Sequence, residues 1–106
     1  YQPESPLQIF SSSKELLTFL NMEPCIPAAS VVLSHSPLNK PHFPSKSLKF
    51  IHFSEAGDPV EIAKNLFACL READAHSPPL ILCPLLPEMG IGIAVNDRLR
   101  KASFKG

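Results

Sequence analysis

Between Asp58 and Ala75 the apolar positions recur with a helical period. Ile62, Leu66 and Leu70 stand four apart, with Ala63, Phe67 and Ala73 beside them, while Lys64, Glu72 and Asp74 fall outside the stripe. The stretch also carries its own start and stop. Asp58 suits an N-cap, Pro59 the first helical position, and Glu61 completes a D-x-x-E capping box. Ser77-Pro78-Pro79 ends the helix near His76. A second helix is predicted from about Ser13 to Asn21, capped by Ser12 with Glu15 and facing inward through Leu16, Leu17 and Leu20. A third runs from Ile91 to Ala102, with Ile91, Val95, Leu99 and Ala102 in register and basic residues near its end.

Around these helices lie four short strand candidates, Leu7–Phe10, Ser30–Ser34, Leu48–Phe53 and Leu80–Cys83, the second and fourth of them nearly continuous apolar runs. Such runs suit strands covered on both faces, as in a parallel sheet. His35 to Ser47 has no period and three prolines; it reads as an irregular loop, either a flap or the remnant of a helix. The order β-α-β-loop-β-α-β-α predicts a three-layer α/β sandwich around a small, mostly parallel sheet.

Length and composition narrow the function. The 106 residues suit one domain, and 44% apolar content supports a real core. Ten basic residues balance ten acidic ones, so phosphate neutralisation has no basic excess to draw on and no direct nucleic-acid binding is expected. No apolar run approaches the roughly 18 residues of a membrane span, and the polar, proline-rich start does not resemble a signal peptide. The chain begins with Tyr and reads as a piece of something longer. Cys25, Cys69 and Cys83, an odd count without C-x-x-C spacing, do not suggest disulfides or zinc ligands; Cys69 in a helix and Cys83 in a strand read as core residues in a reducing compartment.

Candidate chemistry is sparse. Gly90 and Gly92, before the last helix, form a possible phosphate-proximal turn, but a G-x-G without a third glycine, set apart from the preceding strand, better suits a tight turn and close packing. Arg71 and Asp74, three apart, can pair on a helix surface; Asn96, Asp97 and Arg98 form a polar cluster. Each group suits either a solvated or structural role or a polar seam to another domain. His35, His42, His52 and His76 have no metal-ligand spacing, so no metal site is expected. Neither a nucleophile elbow nor a phosphate loop is present, and no catalytic residue is assigned.

Two stretches together do resemble one family. N-L-F-A-C-L-R-E-A-D at residues 65–74 is similar to its N-L-F/Y-x-x-L-R-x-x-D segment. G-I-G-I-A-V-N-D-R-L-R-K-A at residues 90–102 is similar to its G-L/I-G-x-A-V/I/L-x-D/N-R-L/I-x-K/R-A segment. The family is the C-terminal, Rossmann-like domain of two-domain threonylcarbamoyl-AMP synthases. Residues 1–6 resemble the end of that family's interdomain linker, leaving 7–106 as the accessory domain. The resemblance implies a cytoplasmic parent enzyme, a nucleotidyltransferase of tRNA modification. It would convert threonine, bicarbonate and ATP to threonylcarbamoyl-AMP, the precursor of threonylcarbamoyladenosine. ATP and a divalent metal would belong to a YrdC-type catalytic domain of the same chain, with no cofactor in this part and no activity from it alone. This domain would dock on that catalytic domain and gate it, with Tyr1, Arg71, Asp74, Asn96 and Arg98 as docking or structural residues. The alternatives are a free-standing nucleotide-binding α/β domain and a non-catalytic interaction module.

Overall fold

The computed structural model describes residues 2–22, 25–38 and 48–103. Tyr1, His42 and most of the proline-rich loop 35–47 lie outside them. Among the described residues seven elements follow in order: β1 (Leu7–Phe10), α1 (Ser13–Met22), β2 (Val31–Ser34), β3 (Lys49–His52), α2 (Pro59–Ala75), β4 (Ile81–Pro84) and α3 (Ile91–Ser103). The strands form one sheet in the order β1-β4-β2-β3, every pair parallel. The fold is thus the expected Rossmann-like α/β sandwich.

Alternation along the strands divides the core between two faces. Leu7, Ile9, Val31, Leu33, Ile51, Ile81 and Cys83 pack with the buried stripes of α2 and α3. Phe10, Val32, Phe50 and Leu82 face α1 through Leu16 and Leu20. In α2 the buried residues are Ile62, Leu66, Cys69, Leu70 and Ala73, in phase with the sequence periodicity. Burying a Leu or Ile contributes roughly 1.5–3 kcal/mol, against a few tenths for a surface charge pair. The stripe therefore orients α2, not its charges.

The helix ends show how the sequence signals work. Asp58 caps α2, its Oδ1 accepting from Val60 N at 3.3 Å. The predicted capping box closes differently: Glu61 does not reach the Asp58 N–H itself. Ser54 stands between them, donating its Oγ hydrogen to Glu61 Oε1 at 2.5 Å and accepting from Asp58 N at 3.1 Å. Ser54 is buried, so the relay satisfies a hydroxyl that would otherwise be costly. At the other end His76 N donates to Ala73 O and Ser77 N to Asp74 O. Ser77 takes a left-handed φ of 48° before Pro78, which ends the helix.

Pro84 lies in a central strand, an unfavourable place for a residue without an N–H. The register explains it. On the β2 side β4 pairs only through Ile81 and Leu82; on the β1 side pairing runs to Phe10 opposite Pro84. Beyond Leu82 the strands β2 and β4 part at the carboxyl edge of the sheet.

Candidate functional site

The candidate site residues within the described chain fall into two places, and the structure adds a third. The first is the lead-in before β1. Asp74, expected to pair with Arg71, turns instead to the backbone: Oδ2 accepts from Glu4 N and Oδ1 from Ser5 N, each at 3.0 Å. Pro3 and Ser5 are buried, and Pro6 O accepts from Ile81 N at 2.8 Å. One carboxylate in the last turn of α2 thereby clamps the strap that leads into β1. Arg71, one turn earlier, is exposed.

The second place is the loop from Pro84 to Gly90 and its junction with α3. Asn96 is wholly buried and is not part of a surface cluster. Its Oδ1 accepts from Leu86 N at 2.8 Å; its Nδ2 donates to Leu86 O at 2.7 Å and to Glu88 Oε1 at 2.8 Å. Arg100 Nη2 donates to the same Glu88 oxygen at 2.6 Å. These two bonds, that from Asn96 foremost, hold the Glu88 carboxyl below its ordinary pKa. Asp97 and Arg98 point elsewhere, Asp97 to Lys101 at 3.0 Å and Arg98 Nη1 to Ala94 O at 3.3 Å. Gly90 is exposed with φ +57°, while Gly92 is buried: a Cβ there would meet Pro87 O at 2.2 Å. Gly92 serves close packing of α3 against the loop. Between α2 and α3 lies a groove lined by Ala63, Phe67, Ile91, Ala94 and Arg98, with a volume of about 410 Å³.

The third place, at the carboxyl edge, was not anticipated. Ser11, Ser13, Lys14, His35, Leu85 and Pro87 line a crevice of about 300 Å³. His35 crosses the split between β2 and β4, Nδ1 lying 3.0 Å from Ser13 Oγ and Nε2 3.4 Å from Pro84 O. Burial pushes its pKa below the ordinary histidine value, with the Pro84 carbonyl opposing more weakly. A depressed histidine pKa makes the unfolded chain the better proton acceptor as pH falls. The stability held by neutral His35 is therefore complete above the ordinary histidine range and declines on acidification through it. Thermal melts at about pH 7.5 and about pH 5.5 should show a smaller loss for His35→Gln than for the parent chain. An equal loss would assign the pH dependence to other groups.

The remaining candidates are plain. Cys69 and Cys83 are buried and unbridged, and Cys25 is exposed. Burial, the larger cause, raises both buried thiols, aided by Glu72 at Cys69 and by Cys69 at Cys83. They stay protonated and unreactive. Among the described residues no group of His, Cys, Asp and Glu is placed to hold a metal ion, and no helix is long and apolar enough to cross a membrane.

Comparison with known proteins gives these features a context. Threonylcarbamoyl-AMP synthase from Pyrococcus abyssi (strain GE5 / Orsay) is 52% identical over 48 residues, which is 44% of this chain and 14% of that protein. A solved structure, described as the crystal structure of P. abyssi Sua5 complexed with L-threonine, matches with a TM-score of 0.67 at 27% identity. That match covers 97% of this chain and 29% of the other, so the chain spans less than a third of its relative. The family model for "Threonylcarbamoyl-AMP synthase, C-terminal domain" matches residues 1–103. With nearly its whole length matched, the chain belongs to the family of threonylcarbamoyl-AMP synthase C-terminal domains.

Proposed function

We propose that this chain is the accessory domain of an enzyme that makes threonylcarbamoyl-AMP from threonine, bicarbonate and ATP for tRNA modification. It docks on the YrdC-type catalytic domain and helps to gate its active site. The Asp74 clamp carries the reading. A domain that pins its own lead-in by two hydrogen bonds can transmit its position to whatever that strap joins. Closure of this kind suits a mixed anhydride, because excluding water protects the product from hydrolysis. ATP and a divalent metal would supply the adenylation chemistry in the catalytic domain. The described residues here offer no phosphate loop and no metal-ligand cluster for them. Unbridged cysteines suit the cytoplasm. Tyr1, Arg71, Asp74, Asn96 and Arg98 take docking or structural parts, none of them catalytic.

The test compares the full-length synthase with a version ending before Leu7. Product formation and the hydrolytic loss of threonylcarbamoyl-AMP are both followed. Truncation should lower net product several-fold; equal yield and equal loss would sink the gating role. The nucleotide-binding alternative is favoured by one observation, the carboxyl-edge crevice with Lys14 at the start of α1. It predicts saturable ATP or AMP binding by this chain, which titration calorimetry would detect.

A further inference from the structure

On that reading, we propose that the α2–α3 groove is the face this domain turns to the part of the synthase preceding it, with the Asp74 clamp setting the approach. Both helices follow strands of a parallel sheet and run back across it, so they share a direction and form one seam. The strap meets α2 at its end, where Asp74 holds Glu4 and Ser5. The groove occupies the same seam from Phe67 towards the helix starts. Asp74 lies seven residues beyond Phe67, about 10 Å along the helix. A domain attached through this strap is thus delivered beside the groove, and more than two thirds of the related chain lies outside the matched part.

The lining fits a protein partner. Leu66 and Val95, both buried, give an apolar floor walled by Ala63, Phe67, Ala94 and Ile91, the last 40% exposed. Arg98 stands on the rim and is exposed, bonded to its own helix through Ala94 O. An apolar centre edged by arginine is the composition of an interface. It would take an apolar side chain of the catalytic domain flanked by a carboxylate. Ile93, 54% exposed two residues along α3 and not in the groove lining, provides an internal reference.

Hydroxyl-radical footprinting tests this, comparing full-length synthase with the 106-residue chain. Labelling of Ile91 should fall several-fold in the full-length protein, while Ile93 and the distant Met22, 75% exposed, stay unchanged. Ile91→Glu and Ala94→Glu should restore labelling of the surrounding groove and lower product formation about tenfold; Ile93→Glu should do neither. Asp74→Ala should speed amide exchange at Glu4 and Ser5 and weaken protection of Ile91. Equal Ile91 labelling in the two proteins would overturn the docking face. Full protection in Asp74→Ala would overturn the part given to the clamp. Protection of Ile91 with undiminished product from the truncated synthase would keep the docking face and remove the gating role.

Discussion

Replacing Asn96 by alanine is expected to cost about 3 kcal/mol of stability. The side chain is fully buried and serves both backbone groups of Leu86, which is itself only 5% exposed. Alanine would leave one N–H and one C=O without their partner where water has little access. Each such orphan costs roughly 1–3 kcal/mol, far more than the net worth of an ordinary hydrogen bond. For a domain of this size the melting temperature should drop by about 15 °C. The same change removes the larger of the two influences that lower the pKa of Glu88, leaving Arg100 alone. Glu88 should then titrate closer to its ordinary range in an NMR experiment, a shift that a general loss of packing would not single out. Asn96→Asp is a sharper probe. It keeps the acceptor for Leu86 N but loses the donor to Leu86 O and sets a second carboxylate beside Glu88. It should be at least as damaging as alanine near neutral pH. Melting unchanged within about 2 °C for Asn96→Ala would show that the loop does not depend on this anchor.

Much of the architecture is written in local pattern, because local pattern is what fixes it. The stripe of α2 and its Asp58 cap, and the four strand candidates, depend on spacings within one element, and each lands within a residue or two of the observed bounds. What escapes a linear reading is contact between distant segments. Asp74 stands three residues after Arg71, so a surface pair is the natural local expectation; the backbone groups it binds at Glu4 and Ser5 lie 70 and 69 residues away. Ser54 enters the capping of α2 from outside the four-residue box. His35 gains its environment from Pro84, 49 residues on. Asn96 is the instructive case. Within N-D-R it resembles a surface polar run, yet its phase marks it as inward. It stands four after Gly92 and three before Leu99, on the buried face with Val95 and Ala102. A polar residue in apolar phase is a sign of a buried hydrogen-bond anchor, and that signal was present in the chain.

Gly92→Ala is expected to destabilise the domain, although helix propensity alone predicts the reverse. Alanine is favoured over glycine inside a helix by about 1 kcal/mol. Against this stands a Cβ placed 2.2 Å from Pro87 O and 3.3 Å from Leu86 Cβ. The first contact is with backbone, so no side-chain rotation relieves it. The neighbouring Leu86 backbone is tied on both sides to Asn96, which prevents the loop from retreating cheaply. Overpacking of a tight site costs about 1–3 kcal/mol and more where the surroundings are rigid, so the clash outweighs the gain in propensity. A net loss of about 2 kcal/mol, seen as a melting temperature lower by about 10 °C, is the expected result. The pair Asn96→Ala and Gly92→Ala then provides an internal check. Cutting the anchor lets the loop move away from the new methyl, so the double variant should lose less than the sum of the single losses. Strict additivity would mean that the two residues do not act on the same loop. The position also bears on function, because Ile91, which lines the groove, adjoins Gly92. If the α2–α3 seam meets the catalytic domain, the full-length Gly92→Ala protein should lose Ile91 protection at temperatures where its fold is still intact.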